Sequence, residues 1–299
     1  MGAAWATGSW ASGAWADGSW VEAGALSLAC ASGSLTLSGT AVGLKAARKL
    51  ATASGSLGLS GTSVTLKVTR KLATASGSLS LSGTAVAFKA TRKLATASGV
   101  LTLSGTAVTL TKTGSFSLAC ASGSLSLSGT SVTLKATRKL ATESGALTLT
   151  GTDVALSRTW KLAVASGAIT LNGTDVALTK VGSYDLACAS GALSLAGSAV
   201  TLRATRNLAT AAGAVTLTGT AIDLTAGRKL ATASGALTLA GTAVTFRTGH
   251  ANTIEADSGA LKLTGTAVTL KWIAPRHRIG KGKKVATIAY GEKVRSIAA

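Results

Sequence analysis

Two aspartates come first in any search of this sequence for chemistry. Asp153 and Asp175 fill the same place in consecutive copies of a repeat, each within Gly-Thr-Asp-Val-Ala-Leu. Stacked copies would bring the two carboxylates together, and paired carboxylates on a sheet face are how many glycoside-cleaving enzymes work. The simpler reading, which the pattern favours, is two polar substitutions facing solvent near Arg158 or Lys180. Other chemistry is thinner still. The two histidines, His250 and His277, have no repeated partner, and the many serines are compositional, so no Ser-His-Asp reading follows. Zinc-ligand spacing is missing. Ten acidic residues cannot supply the Gly-Gly-x-Gly-x-Asp arrays of calcium-binding rolls. Lys281-Gly282-Lys283-Lys284 lacks the frame of a phosphate loop. The expectation is a non-enzyme with no cofactor and no metal.

The cations are a stronger signal. Thirty Lys and Arg against ten Asp and Glu give a formal charge of +20, and the excess is patterned. Arg48-Lys49, Arg70-Lys71, Arg92-Lys93, Arg138-Lys139 and Arg228-Lys229 occupy equivalent turns. Lys45, Lys67, Lys89, Lys135 and Arg203 form a second register three positions earlier. In a stacked fold these become columns of like charge. Neighbours about 5 Å apart in water repel by somewhat under 1 kcal/mol before screening. An anionic counterpart would relieve that cost, and three candidates follow: an acidic protein surface, a polysaccharide or a nucleic acid. Sequence-independent nucleic-acid binding needs only clustered cations. Single-strand binders usually add stacking aromatics, however, and these columns have almost none apart from Trp160, so nucleic acid is not expected. The bland alternative is a solvated edge that blocks edge-to-edge aggregation.

What positions these residues is an eleven-fold repeat. The module reads small-Gly-x-Leu-x-Leu-x-Gly-Thr-x-Val-x-Leu, with its first glycine running from Gly33 to Gly259 and its second from Gly39 to Gly265. Such self-similarity marks an architecture in which each unit buries its apolar face against its neighbours. The third module shows the expected strands. Ser78 to Ser82 alternates around two leucines, Gly83-Thr84 turns, Ala85 to Ala90 alternates again, Thr91-Arg92 turns, and Lys93 to Ala97 follows. The prediction is an all-β repeat protein, first of all a β-solenoid-like rod with one three-sided coil per module. The alternative is several chains wrapped into a β fibre or prism.

Spacing leaves one matter open. First glycines advance by 22 each time, except after Gly99, Gly167 and Gly235, where the step is 24. The longer step recurs at every third module, so either a three-module cassette was duplicated or three modules make one layer. Cys30, Cys120 and Cys188 share one place, Leu-Ala-Cys-Ala-Ser-Gly. With one coil per module they lie too far apart to pair within a chain, since a disulfide needs Cα atoms within about 7 Å. Small buried thiols are expected, or else bridges between chains around a shared axis.

The ends differ from the body, predicting three regions. Residues 1–22 form a Trp-rich pentapeptide repeat with Trp5, Trp10, Trp15 and Trp20; residues 23–272 are the β repeat array; residues 273–299 are a basic segment with short strands. Tryptophans of this kind anchor interfaces, so the first region is the candidate dock for a partner or sister chains. Capping the open end of the stack is the other use. Beyond Pro275 comes a basic stretch, and Val285 to Ala299 reads as two strands about Tyr290-Gly291. Mean hydropathy is +0.42, yet no run of about 18 uncharged apolar residues occurs, so no membrane insertion is expected. Neither a secretory leader nor a complete myristoylation start is apparent.

The Trp-rich start, the Gly-x-Leu-x-Leu-x-Gly-Thr-Ala-Val-x-Leu array and the closing Ala-Tyr-Gly-Glu-Lys-Val-Arg-Ser-Ile together resemble bacteriophage virion structural proteins of the head-fibre, decoration or tail-fibre-like kind. The resemblance implies a non-enzymatic virion component that docks by one end to capsid or tail proteins, often as a trimer. Its repeat would serve as spacer or display surface, with host attachment through anionic surface glycans as a further role. The other readings, in order, are a bacterial surface adhesin that binds anionic polysaccharide, an ice-binding solenoid with hydroxyls in ranks, and a polysaccharide depolymerase using Asp153 and Asp175.

Overall fold

Leucine and valine every second residue, interrupted by Gly-Thr and Ala-Ser-Gly, can bury one side of a short strand and then must turn. In the computed structural model the chain does this repeatedly. The structure describes residues 20–297, apart from 24–26, 31, 47–48, 69–70, 91–92, 113–116, 137–138, 159–160, 181–185, 205–206, 227–228, 249–252, 257–259, 273–277, 280–285 and 291–292. It divides into two compact units, Met1–Thr152 and Asp153–Ala299. Each is a β-solenoid in which one module makes one coil.

A coil has three faces, and the third module again serves as the example. Ser78–Ser82 forms the leucine face, Ala85–Ala90 the valine face and Lys93–Thr96 the short face. These are the strands that alternation predicts. Each pairs in parallel with its counterpart in the next coil, Leu79 with Leu101, Val86 with Val108 and Leu94 with Leu118. Like residues therefore stack in columns at about the 4.8 Å inter-strand spacing. The register settles the spacing question. Ser78 pairs with Val100 across a shorter module, and Val100 pairs with Ser124 across a longer one. A single module is thus one turn in both cases. The extra length falls at the corner between Lys112 and Ser117, where the preceding coil passes from Ala90 to Lys93. The three-module rhythm is a longer corner at every third coil, not a larger layer.

The core is narrow and apolar. Leu79, Leu81, Val86 and Phe88 are at most 2 % exposed, and the equivalent described positions in other coils are buried likewise, except Val268, which is half-buried. Phe88 and Phe246 replace a leucine at the same place, the largest of the buried side chains. Corners are tied as tightly as strands. Between the short and leucine faces, Ala75 N–H donates to the Thr52 carbonyl at 2.8 Å, Ser76 N–H to Ala53 at 2.7 Å and Ser78 N–H to Gly55 at 3.1 Å. Backbone groups that a turn would leave unpaired are satisfied by the neighbouring coil. In the second unit two strands run through the leucine–valine corner without interruption, Ala214–Ala226 and Ala236–Thr248. That unit also contains Ala286–Tyr290, parallel to Ala260–Gly265, followed by Lys293–Ile297 in antiparallel pairing. These are the two strands expected around Tyr290-Gly291.

One column breaks the apolar rule. On the short face of the first unit the last register of the strand runs Cys30, Thr52, Thr74, Thr96, Cys120, Thr142. In the second it begins Val164, Cys188, Thr210. Thr, Val and Cys are close in size, so the cysteines hold a position that asks only for that volume. Cys120 and Cys188 are buried free thiols, the simpler of the two expectations. Burial pushes the Cys188 thiol up to about 12. It raises Cys120 as well, an effect the Thr96 hydroxyl partly offsets. Thr52, Thr74, Thr142 and Thr210 bury hydroxyls that have no hydrogen-bond partner. Desolvating such a group costs about 1–3 kcal/mol. Thr74→Val, which keeps the shape, should therefore raise stability by about 1 kcal/mol, measured as a higher midpoint in denaturant with unchanged slope. Val164 already shows that the column accepts valine.

Candidate anion-binding face

The valine-face strand has six places, and its even-numbered ones point inward. In Ser63–Val68 the exposure alternates accordingly, with Val64, Leu66 and Val68 buried and Lys67 exposed. The fifth place is therefore where a long cationic side chain reaches solvent. Parallel pairing puts Lys45 beside Lys67, Lys67 beside Lys89, Lys89 beside Thr111 and Thr111 beside Lys135. All four lysines are exposed. The second cationic register is thus a column on one face of the first unit. Glu22 pairs in register with Lys45 at its start.

In the second unit the same place runs Ser157, Thr179, Arg203, Thr225, Arg247, Lys271. Arg247 belongs to this column, although the search for repeated cations does not single it out. Its signal is present in the sequence: Ala-Val-Thr-Phe-Arg matches Ala-Val-Ala-Phe-Lys around Lys89 place for place. The face is also diluted by acid. Asp223 Oδ1 lies 3.8 Å from Arg247 Nε. Asp153 and Asp175 are register partners at the first place of the strand, both exposed, so stacking does bring the two carboxylates side by side. The column continues to Ala199.

The dibasic turns are only partly described. Lys49, Lys71 and Lys93 open short-face strands and pair consecutively in register. Lys139 pairs with Ser117, and Lys229 with Asn207 and Thr253, so the column is interrupted there. Arg48, Arg70, Arg92, Arg138 and Arg228 lie outside the described residues, as do Trp5, Trp10 and Trp15. Trp20 opens the strand Trp20–Ala23, paired with Gly43 at the third place of the valine face. Among the described residues no three His, Cys, Asp or Glu side chains converge as a metal site would require.

The leucine face has the opposite character. Its outward columns in the first unit, for example Thr36, Gly58, Ser80, Thr102, Ser126 and Thr148, are small and uncharged. In the first unit charge is thus segregated by face, whereas in the second Lys262 stands exposed on the leucine face, in register with Thr238. No protein-family model, curated protein or solved structure matches the chain.

Proposed function

We propose that this chain is a structural, non-catalytic β-solenoid of a virion-type assembly, presenting a cationic face to an anionic surface. The observation that carries the reading is the exposed column of Lys45, Lys67, Lys89 and Lys135. A stacked row of like charge is a standing cost that folding does not require, because Thr111 and Thr179 fill the same place. The virion assignment is supported by the resemblance of the repeats and ends to phage fibre and decoration proteins. In that setting the Trp5 to Trp20 segment docks the chain on capsid or tail proteins, and the chains associate as trimers. A bacterial cell-surface adhesin would use the same cationic face.

Carboxylated and uncharged beads of the same polymer test the electrostatic part. The carboxylated beads should retain the chain at low salt and release it steeply as salt rises, since screening shortens to about 8 Å near 0.15 M. A flat salt response would reduce the column to a solvated edge. Light scattering tests the assembly part, with a mass three times the 29.2 kDa chain expected.

One observation favours a second reading. The uncharged leucine face of the first unit, with hydroxyls at Thr36, Ser80, Thr102, Ser126 and Thr148, suits an ice-binding surface. Thermal hysteresis in the purified chain would select it over the first.

A further inference from the structure

We propose that the valine face of the first unit binds a linear acidic polysaccharide, laid along the stacking direction with its charged groups on the lysine column. This rests on the anion-binding reading and names its partner. The geometry of the column is the first argument. Lys67 and Lys89 are adjacent in register, Lys45 precedes them, and Lys135 follows after Thr111. Successive places are about 4.8 Å apart along the stack. A compact anion can touch one or two of these cations. A polymer that carries one carboxylate or sulfate per sugar spaces its charge by roughly one sugar length and can meet them in succession.

The floor beside the column is the second argument. At the first place of the strand stand Ser63, Ala85, Ala107 and Ser131, all exposed. At the third stand Thr65, Ala87, Thr109 and Thr133, all half-buried. From Ser63 to Ser131 and from Thr65 to Thr133 nothing rises above a threonine, so this part of the strip is a shelf edged by a cationic rail; Trp20 heads the third-place column, ahead of Gly43. Threonine hydroxyls can both donate and accept toward sugar hydroxyls, and the methyl groups suit the apolar faces of sugar rings. Between the coils of Lys67 and Lys135 these columns hold no stacking aromatic of the kind that single-stranded nucleic acids use; Trp20 stands before them, in register with Gly43.

The second unit supplies the contrast. Its valine face carries Asp153, Asp175 and Asp223 beside a cationic column interrupted by Thr179 and Thr225. The pairing of Asp223 with Arg247 already occupies one of the few cations there. An acidic chain laid on that face would meet carboxylates along its length, whereas the first unit's lysine column has one in register, Glu22 beside Lys45 at its start, so the site belongs to the first unit.

Calorimetric titration of the full chain with oligogalacturonates of graded length is the test. Affinity should rise with each added sugar until the oligomer passes from Lys45 to Lys135, and galacturonate monomer should not bind. Replacing both Lys67 and Lys89 by Gln should weaken binding about ten-fold and lower the salt slope by about two, because two counterion-releasing cations are gone. Arg203→Gln with Arg247→Gln should leave affinity within about two-fold, because neither arginine lies on the path of the glycan. Affinity independent of length overturns the proposal, and so does a loss that follows the arginines instead. Oligothymidylate of equal charge binding as tightly as the glycan overturns it in favour of nucleic acid. Retention on carboxylated beads without oligogalacturonate binding overturns this inference alone. Failure on the beads as well removes the reading beneath it.

Discussion

Leu79→Asp should unfold the coils around it, with a loss of stability of at least about 4 kcal/mol. Leu79 is fully buried and stacks in register between Leu57 and Leu101, in a core whose large buried side chains are aliphatic or aromatic. Among the described residues a carboxylate there has no cation to pair with, because Lys67 and Lys89 stand on the outer side of their strands. It must either stay charged in an apolar interior or take up a proton at neutral pH, and each route costs several kcal/mol. Coils in a repeat array depend on their neighbours, so damage in one coil spreads to those stacked on it. Far-ultraviolet circular dichroism should show a much lower melting midpoint and a smaller β signal. Leu79→Ala should fall between this variant and the parent, since a cavity alone costs about 2–5 kcal/mol. A melt of Leu79→Asp that overlays the parent would refute an inward Leu79.

Gly83→Ala should be nearly as damaging, although it adds a single methyl group. Gly83 sits at the corner between leucine and valine faces, where Gly61 precedes it and Gly105 follows in the same stacked column. A Cβ on Gly83 would overlap the Gly61 carbonyl oxygen and come within 3.1 Å of Val64 Cγ2. The obstruction is backbone, so no rotamer change removes it. Relief requires the two coils to separate at that corner, which stretches the bond from Gly61 N–H to the Ser82 carbonyl, now 3.1 Å. A cost of about 3 kcal/mol is expected, at the large end for a point substitution. Gly58→Ala makes the control. Its Cβ would meet only the Thr36 side chain at 3.7 Å, an ordinary contact. Equivalent places hold Ser80 and Thr102. There the substitution should stabilise, by about 0.4–1 kcal/mol, because the unfolded chain loses freedom. Opposite signs for one chemical change, read from denaturant midpoints, would establish that the glycine columns matter through coil-to-coil contact.

These two cases also separate what the residues show locally from what they do not. Strand limits are legible because alternation is a local property. Leu79 and Leu81, then Val86 and Phe88, can share a buried side only if the chain is extended and turns at Gly83-Thr84. The buried thiols are legible for a similar reason, since Leu-Ala-Cys repeats the alternation of Leu72-Ala73-Thr74, whose first and last residues are buried. The length of a turn is not. A single module and a three-module cassette carry the same alternation, and only pairing across coils distinguishes them. The place of Arg247 is legible in its match to the segment around Lys89, but its contact with Asp223 is not, because that depends on the two residues lying in adjacent coils.

Residue order and composition make this chain all-β, repetitive, narrow-cored and strongly cationic, because period-two burial and net charge need no knowledge of which coils touch. Neighbours along the stack are set by the fold and by nothing local. Parallel pairing converts position within a module into position on a face. It thereby sorts Lys67 and Lys89 onto one rail, Ser80 and Thr102 onto an uncharged face, and Asp223 against Arg247. Backbone contact between glycines of successive coils holds that register, and through it the distribution of charge from which function is read.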